Sequence, residues 1–204
     1  MFITLEGIEG AGKSTHGEFI TRMLLERGHK VCLTREPGGT RTGEAIRDIL
    51  LHSRDMHIGD VTELTLIFAA RAQHLQEVIR PALADNIIVV CDRFTDATYA
   101  YQGGGRGIPQ AQIRDLEQLI QQGLAPDLTL LFDVAVEAGL ARARRRSDAD
   151  RFEAEDTAFF QRVRNSYLDI ARDAPERVIL IDANREPDRI QADILTLLKE
   201  KNLC

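Results

Sequence analysis

The 204-residue sequence predicts an α/β fold: a five-stranded parallel sheet covered by helices on both faces. Two observations predict it. Five short apolar runs, each bounded by Gly, Asp, Arg or turn residues, have the length and composition of buried strands. Between them lie longer segments whose apolar residues recur every three or four positions, the spacing of a helix face. Strands alternating with helices need crossover connections, which set parallel strands between two helical layers.

The first run covers residues 2–5 and leads to a helix over 13–27, where Phe19, Ile20, Met23 and Leu24 share a face and Gly28 ends it. The second run, 31–34, precedes a helix at about 43–51. A long helix follows at about 61–84. Its apolar residues, among them Leu64, Ile67, Phe68, Leu75 and Ile79, spread wider than one face needs, which reads as a buried helix. The third run is 87–91. The helix over 109–123 has Pro at its start and Gly at its end. The fourth run, 128–132, precedes helices near 136–145 and 156–172. The fifth, 178–181, precedes a last helix over 187–201. Two stretches break the pattern. Gln102-Gly103-Gly104-Gly105-Arg106-Gly107 reads as a flexible turn, and residues 144–151 read as a charged loop between helices. Both are candidates for moving parts. The expected organisation is a single domain over 1–204 with a small mobile lid at about 142–153.

Composition limits the function classes. The formal net charge is -6, whereas proteins that live on long nucleic acid usually show a basic surplus. A nucleotide partner is therefore expected to be a small molecule in a local basic pocket, with no nucleic acid. The three cysteines, Cys32, Cys91 and Cys204, form no CxxC pair. Cys32 and Cys91 sit in apolar runs and read as buried strand residues in a reduced, cytoplasmic setting. The five histidines lack metal-ligand spacing. The amino end shows no basic segment followed by an apolar one, and no run approaches a membrane span, so neither secretion nor a membrane partner is expected.

Gly7-Ile8-Glu9-Gly10-Ala11-Gly12-Lys13-Ser14 matches G-x-x-x-x-G-K-[ST] and is followed by Thr15. It lies between a strand and a helix, as its chemistry requires. Glycines let the backbone curl so that several N–H groups face one phosphate chain, and the helix starting at Lys13 adds its positive end. Lys13 is placed for the β- and γ-phosphates and Ser14 for a magnesium ion. A strand-end carboxylate near that ion is also expected. Asp92, Asp133 and Asp182 all qualify, and Asp92 is favoured because Arg93 follows it. A GTPase switch would carry a guanine-reading N-K-x-D stretch, which is absent.

Further motifs narrow the class. Thr34-Arg35-Glu36-Pro37-Gly38-Gly39-Thr40, Leu66-Ile67-Phe68-Ala69-Ala70-Arg71, Asp92-Arg93-Phe94, Ala100-Tyr101-Gln102-Gly103-Gly104-Gly105-Arg106-Gly107 and Pro126-Asp127-Leu128-Thr129-Leu130 occur in this order. Together they resemble the thymidylate kinase family, from residue 2 to about 182. The loop between Gly7 and Gly12 has no arginine, which resembles the bacterial type, where basic help comes from the lid. The resemblance implies the P-loop nucleoside monophosphate kinase fold, ATP and dTMP as partners, Mg²⁺ as cofactor, and a homodimer formed through the long helix. A kinase for a related nucleotide or a deoxynucleoside is the nearest alternative, and a non-enzymatic nucleotide switch the more distant one.

It also implies roles by position. Gly7, Glu9, Gly10, Ala11, Gly12, Lys13, Ser14 and Thr15 would hold ATP, with Ser14 and Asp92 at the metal. Phe68 would stack on the pyrimidine ring, and Arg71 would donate to its 4-carbonyl, where cytosine instead carries an amino group. Thr98 and Gln102 would meet the other base edge, Tyr101 the sugar, Glu9 the 3′-hydroxyl, and Pro37 the 5-methyl group. Arg35, Arg93 and Arg47 would hold the acceptor phosphate. Lys13 and Arg93, with Arg146 and Arg151 favoured among Arg142, Arg144, Arg145, Arg146 and Arg151, would stabilise the transferring phosphoryl. The segment Asp182-Ala183-Asn184-Arg185 would border the adenine.

Overall fold

The computed structural model describes residues 1–52, 56–145, 151–201 and 203. Its sheet is five-stranded and all parallel, in the order β2-β3-β1-β4-β5. The strands are β1 (Phe2–Glu6), β2 (Val31–Arg35), β3 (Ile88–Asp92), β4 (Leu128–Asp133) and β5 (Val178–Asp182). The three central strands are buried almost throughout, so their runs lack polar alternation. β2 and β5 are edges and partly exposed. Cys32 was expected to be buried, but it lies on edge strand β2 and is only half-buried, whereas Cys91 on central β3 is fully buried.

Helices cover both faces. On one, Ile3, Leu5, Leu130 and Phe132 pack with residues of α1 (Lys13–Glu26), α8 (Thr157–Asp173) and α9 (Pro187–Glu200). On the other, Phe2, Val89 and Cys91 meet Leu75, Ile79 and Ala82. The remaining helices are α2 (Arg41–His52), α3 (Asp60–His74), α4 (Arg80–Ala84), α5 (Thr95–Thr98), α6 (Gln110–Gln121) and α7 (Val136–Arg144). Asp156 caps α8 by accepting from the Phe159 N–H at 2.7 Å, which explains the start of that helix.

Two segments differ from expectation. The long helix over 61–84 is divided: α3 passes through a π-helical turn, Leu75–Ile79, before α4. Pro81 has no N–H and its ring crowds the carbonyl four residues back, so the ladder widens there. The glycine-rich stretch is no flexible turn. Tyr99–Gly105 is a second π-helical turn continuing α5, packed against α8. A Cβ on Gly104 would sit 2.6 Å from Ser166 Cβ, and one on Gly105 would sit 2.5 Å from Phe159 Cε2. These glycines serve close packing. In the charged stretch, α7 runs to Arg144, and residues 146–150 lie outside the described residues.

Candidate active site

β1, β3 and β4 end side by side at their carboxyl ends, where open parallel sheets bind ligands. The glycine-rich loop leaves β1 there and turns into α1. Gly7 lies so close to β4 that a Cβ would meet the Phe132 carbonyl oxygen at 2.4 Å. Gly10 holds φ 69° and would place a Cβ 2.0 Å from the Gly139 carbonyl oxygen. Only glycine permits both approaches. Lys13 folds back and donates to the carbonyls of Gly7 and Ile8 at 3.0 and 2.9 Å. Burial, followed by the charge of Arg93, lowers its pKa to about 8.

Ser14 donates to Asp92 at 2.8 Å. The other strand-end candidates are engaged elsewhere. Asp133 takes two hydrogen bonds from Arg164, at 2.6 and 2.8 Å, and Asp182 accepts from Asn184. Hydroxyl and carboxylate oxygens suit a hard cation such as Mg²⁺. Among the described residues no group of three or more His, Cys, Asp and Glu could hold an ion.

Arg93 has a left-handed backbone, φ 70°, unusual for a bulky residue and typical of strain kept at a working site. Its guanidinium reaches over the loop, donating to Gly7 O (3.0 Å), Glu9 (2.8 Å), Tyr101 Oη (3.0 Å) and Tyr167 Oη (3.2 Å). Tyr101 also donates to Glu9 at 2.6 Å. Behind this group lies Glu6, fully buried, accepting from Phe94 N and Tyr167 Oη at 2.7 Å each. Burial, then the charge of Asp96, raises its pKa to about 8.

A cavity of about 220 Å³ joins the loop to the cleft beyond it. Arg35, Arg47, Arg93 and Lys13 line it, as do the apolar Pro37, Leu51, Ile67 and Phe94. Arg71 lines it too and is almost wholly buried. Its Nε donates to Glu36 at 2.7 Å, and its Nη2 donates to Phe94 O and Thr98 Oγ1 at 3.1 and 3.0 Å. Nη1 is buried and has no partner among the described residues. Such an unmatched donor costs about 1–3 kcal/mol, which a ligand carbonyl would offset.

Most of the expected residues converge here. Glu9, Gly10, Gly12, Lys13, Ser14, Arg35, Pro37, Arg71, Asp92, Arg93, Thr98, Tyr101 and Gln102 all line one cavity. Four differ. Phe68 is not among the lining residues. It packs with Leu64, Ile108 and Ile113, and its ring lies 4.8 Å from the Arg71 guanidinium, so it supports Arg71 instead of facing the cleft. Ile67, one position earlier, provides the apolar wall. Arg151 does not line the cleft either. It donates to Leu50 O at 2.8 Å and to Glu63 at 2.5 Å. Arg146 lies outside the described residues. Thr15 is exposed on α1 and is not a lining residue. Arg142 donates to Ala183 O at 2.8 Å, within the segment expected near adenine.

Sequence reasoning missed Glu36, His74, Glu63, Glu6 and Tyr167. Glu36 also meets His74 Nδ1 at 3.0 Å, and Thr34 Oγ1 lies 2.7 Å from His74 Nε2. Glu63, Ile67, Arg71 and His74 recur at helical spacing on one buried face of α3. That repeat of charged residues among apolar ones was the available signal.

A profile of the thymidylate kinase family matches residues 5–194. Curated relatives include a thymidylate kinase from Pseudomonas putida (strain GB-1), 57% identical over 198 residues, covering 97% of this chain and 94% of that one. Another, from Pseudomonas savastanoi pv. phaseolicola, is 56% identical over 200 residues, covering 98% and 95%. Among solved structures, that of thymidylate kinase from Ehrlichia chaffeensis superposes with a TM-score of 0.80 at 33% identity, covering 97% of this chain and 98% of that one.

Proposed function

Because the chain belongs to the thymidylate kinase family, and so moves the ATP γ-phosphoryl to dTMP to give dTDP and ADP, we propose roles for the residues that line its cleft. The observation that carries the assignment is the unpartnered Nη1 of Arg71, a residue that lines the same cavity as the phosphate loop.

The base lies at the Arg71 end, with O4 accepting from Nη1. Ile67, Phe94 and Pro37 form the apolar walls. Thr98 and Gln102 meet the remaining edge. Tyr101 and Glu9, already hydrogen-bonded to each other, face the sugar. Arg35 and Arg47 line the same cavity as Arg93 and hold the acceptor phosphate. The ATP triphosphate takes the place of the Gly7 and Ile8 carbonyls as partner of Lys13. Ser14 and Asp92 hold Mg²⁺, which when bound neutralises charge on the phosphates.

The acceptor is an anionic phosphate oxygen, so no strong general base is required. This chain's residues act by alignment and by charge. Lys13 and Arg93 both reach the Gly7 carbonyl of the loop and stabilise charge that grows on the transferring group. The lid expected at about 142–153 is assigned the exclusion of water, and of its described residues Phe152 and Glu153 line the cavity. Among the described residues no helix is long and apolar enough to cross a membrane, and a cytoplasmic setting is part of this proposal.

The test is an acceptor panel with MgATP, read by ADP release, comparing dTMP with dCMP, dGMP and thymidine. The account expects dTMP to exceed each of the others by at least tenfold in kcat/KM. Thymidine as the preferred acceptor would contradict it.

A further inference from the structure

Glu63 lies on α3, one helical turn before Ile67 and two before Arg71, on the face turned to the cleft. Its side chain is wholly buried. Three residues donate to it. Gln102 Nε2 reaches Oε1 at 2.8 Å. Arg106 reaches Oε1 and Oε2, each at 3.3 Å. Arg151 Nη2 reaches Oε2 at 2.5 Å. The two guanidiniums balance the charge of a carboxylate that water does not reach.

An ionised carboxylate accepts hydrogen bonds and cannot donate them. The Gln102 amide must therefore turn its NH₂ toward Glu63. Its carbonyl oxygen is left for the cavity, which Gln102 lines, and accepts no hydrogen bond among the described residues. Arg71 lines the same cavity, and its buried Nη1 has no partner among the described residues.

We propose that Glu63 is a positioning residue for base selection: it locks Gln102 with its carbonyl oxygen toward the cleft, so that the site offers one acceptor beside one donor. The inference rests on the dTMP kinase reading. A 4-oxopyrimidine answers that pair with its N3–H and its O4. Cytosine answers with a bare N3 and an amino group, which sets acceptor against acceptor and donor against donor. A mismatch of buried polar groups of this kind is what lets a site discriminate strongly. With Gln at position 63, both amides can turn over together, and Gln102 can then offer its NH₂ to N3 of cytosine.

The test is the ratio of kcat/KM for dTMP to that for dCMP, with MgATP, in full-length variants. A ratio cancels any loss of turnover common to both acceptors, including loss through the lid. Glu63→Gln is expected to lower it about tenfold or more, with KM for ATP changed less than about threefold. Glu63→Asp retains an acceptor-only group and is expected to keep the ratio within about threefold of native. Arg151→Gln leaves the Glu63–Gln102 bond in place and is expected to keep it also. Should Glu63→Gln fail to fold because two guanidiniums are stranded, the double variant Glu63→Gln/Arg151→Gln carries the same expectation. A folded variant with Gln at 63 and the native ratio would overturn the proposal. So would an equal collapse in Glu63→Asp, which would assign the effect to packing. Absence of dTDP from the native chain would instead sink the underlying reading.

Discussion

Lys13 and Arg71 both line the cleft, and each supports a prediction. Lys13→Ala removes the ammonium that faces the polyphosphate. Turnover is expected to fall by about a thousandfold, near the upper range for one electrostatic contact, with the melting temperature nearly unchanged. Near-normal turnover in a steady-state assay would refute the role. Arg71→Ala takes away the donor to O4 and strands Glu36, which Arg71 now meets at 2.7 Å. dTMP affinity is expected to weaken by about 2–3 kcal/mol while ATP affinity holds, as read by calorimetry. Equal weakening for both ligands would reject the base-reading role. Lys13 also predicts a pH dependence. Its pKa in the free chain is about 8, below the ordinary value of 10.5. A bound triphosphate favours the charged form, so ATP affinity should be flat below pH 8 and decline above it. Glu6 runs the other way. Its pKa is raised from 4.5 to about 8, so the folded state holds a proton that the unfolded chain has lost in that window. Stability contributed by Glu6 is complete below pH 4.5 and falls as pH rises to about 8. Glu6→Gln is expected to flatten that part of a stability–pH curve. Lys13, Ser14 and Arg93 were legible in the sequence because motif spacing fixes their place on strand and helix ends. Glu6, Glu36 and Glu63 were not, because a buried acid is written in the sequence like a solvated one and only its partners reveal it. Phe68 was misplaced by one residue of helical phase: at 100° per residue, Ile67 takes the cleft and Phe68 the core.

The elements follow the same logic at a larger size. All five strands and the longer helices on either side of them were legible, since apolar runs and helical spacing are local signals, whereas the four-residue α5 was not. The two π-helical turns were not. One arises where Pro81 disturbs the helix, and the other carries Gln102 to the cleft while its glycines meet α8. A run of glycines reads as a flexible turn, and only tertiary contact makes it a packed helix. Gly105→Ala therefore serves as a test. A methyl there would meet Phe159 at 2.5 Å, and overpacking of this sort costs about 1–3 kcal/mol. Chemical denaturation should show that loss, together with a weaker dTMP site, because Tyr101 and Gln102 ride on the same turn. Unchanged stability would mean that the stretch yields freely and is not a packed support.

Across the whole molecule, a chain of net charge -6 gathers Lys13, Arg35, Arg47 and Arg93 around one cavity. Local clustering lets an acidic protein hold two anionic nucleotides. We also propose a homodimer, in line with the family resemblance, through the face of α3 on which Val61 is exposed. Light scattering at micromolar concentration should give twice the mass of one 22.8 kDa chain, and a monomer mass would refute it. The central claim is direct phosphoryl transfer between two nucleotides bound at once. Its most direct measurement follows ATP labelled at the γ-phosphorus, mixed with dTMP, Mg²⁺ and the purified chain, with products separated by chromatography. The account predicts label in the β-phosphate of dTDP, formed in step with ADP. Label released only as inorganic phosphate, with dTMP recovered unchanged, would contradict it.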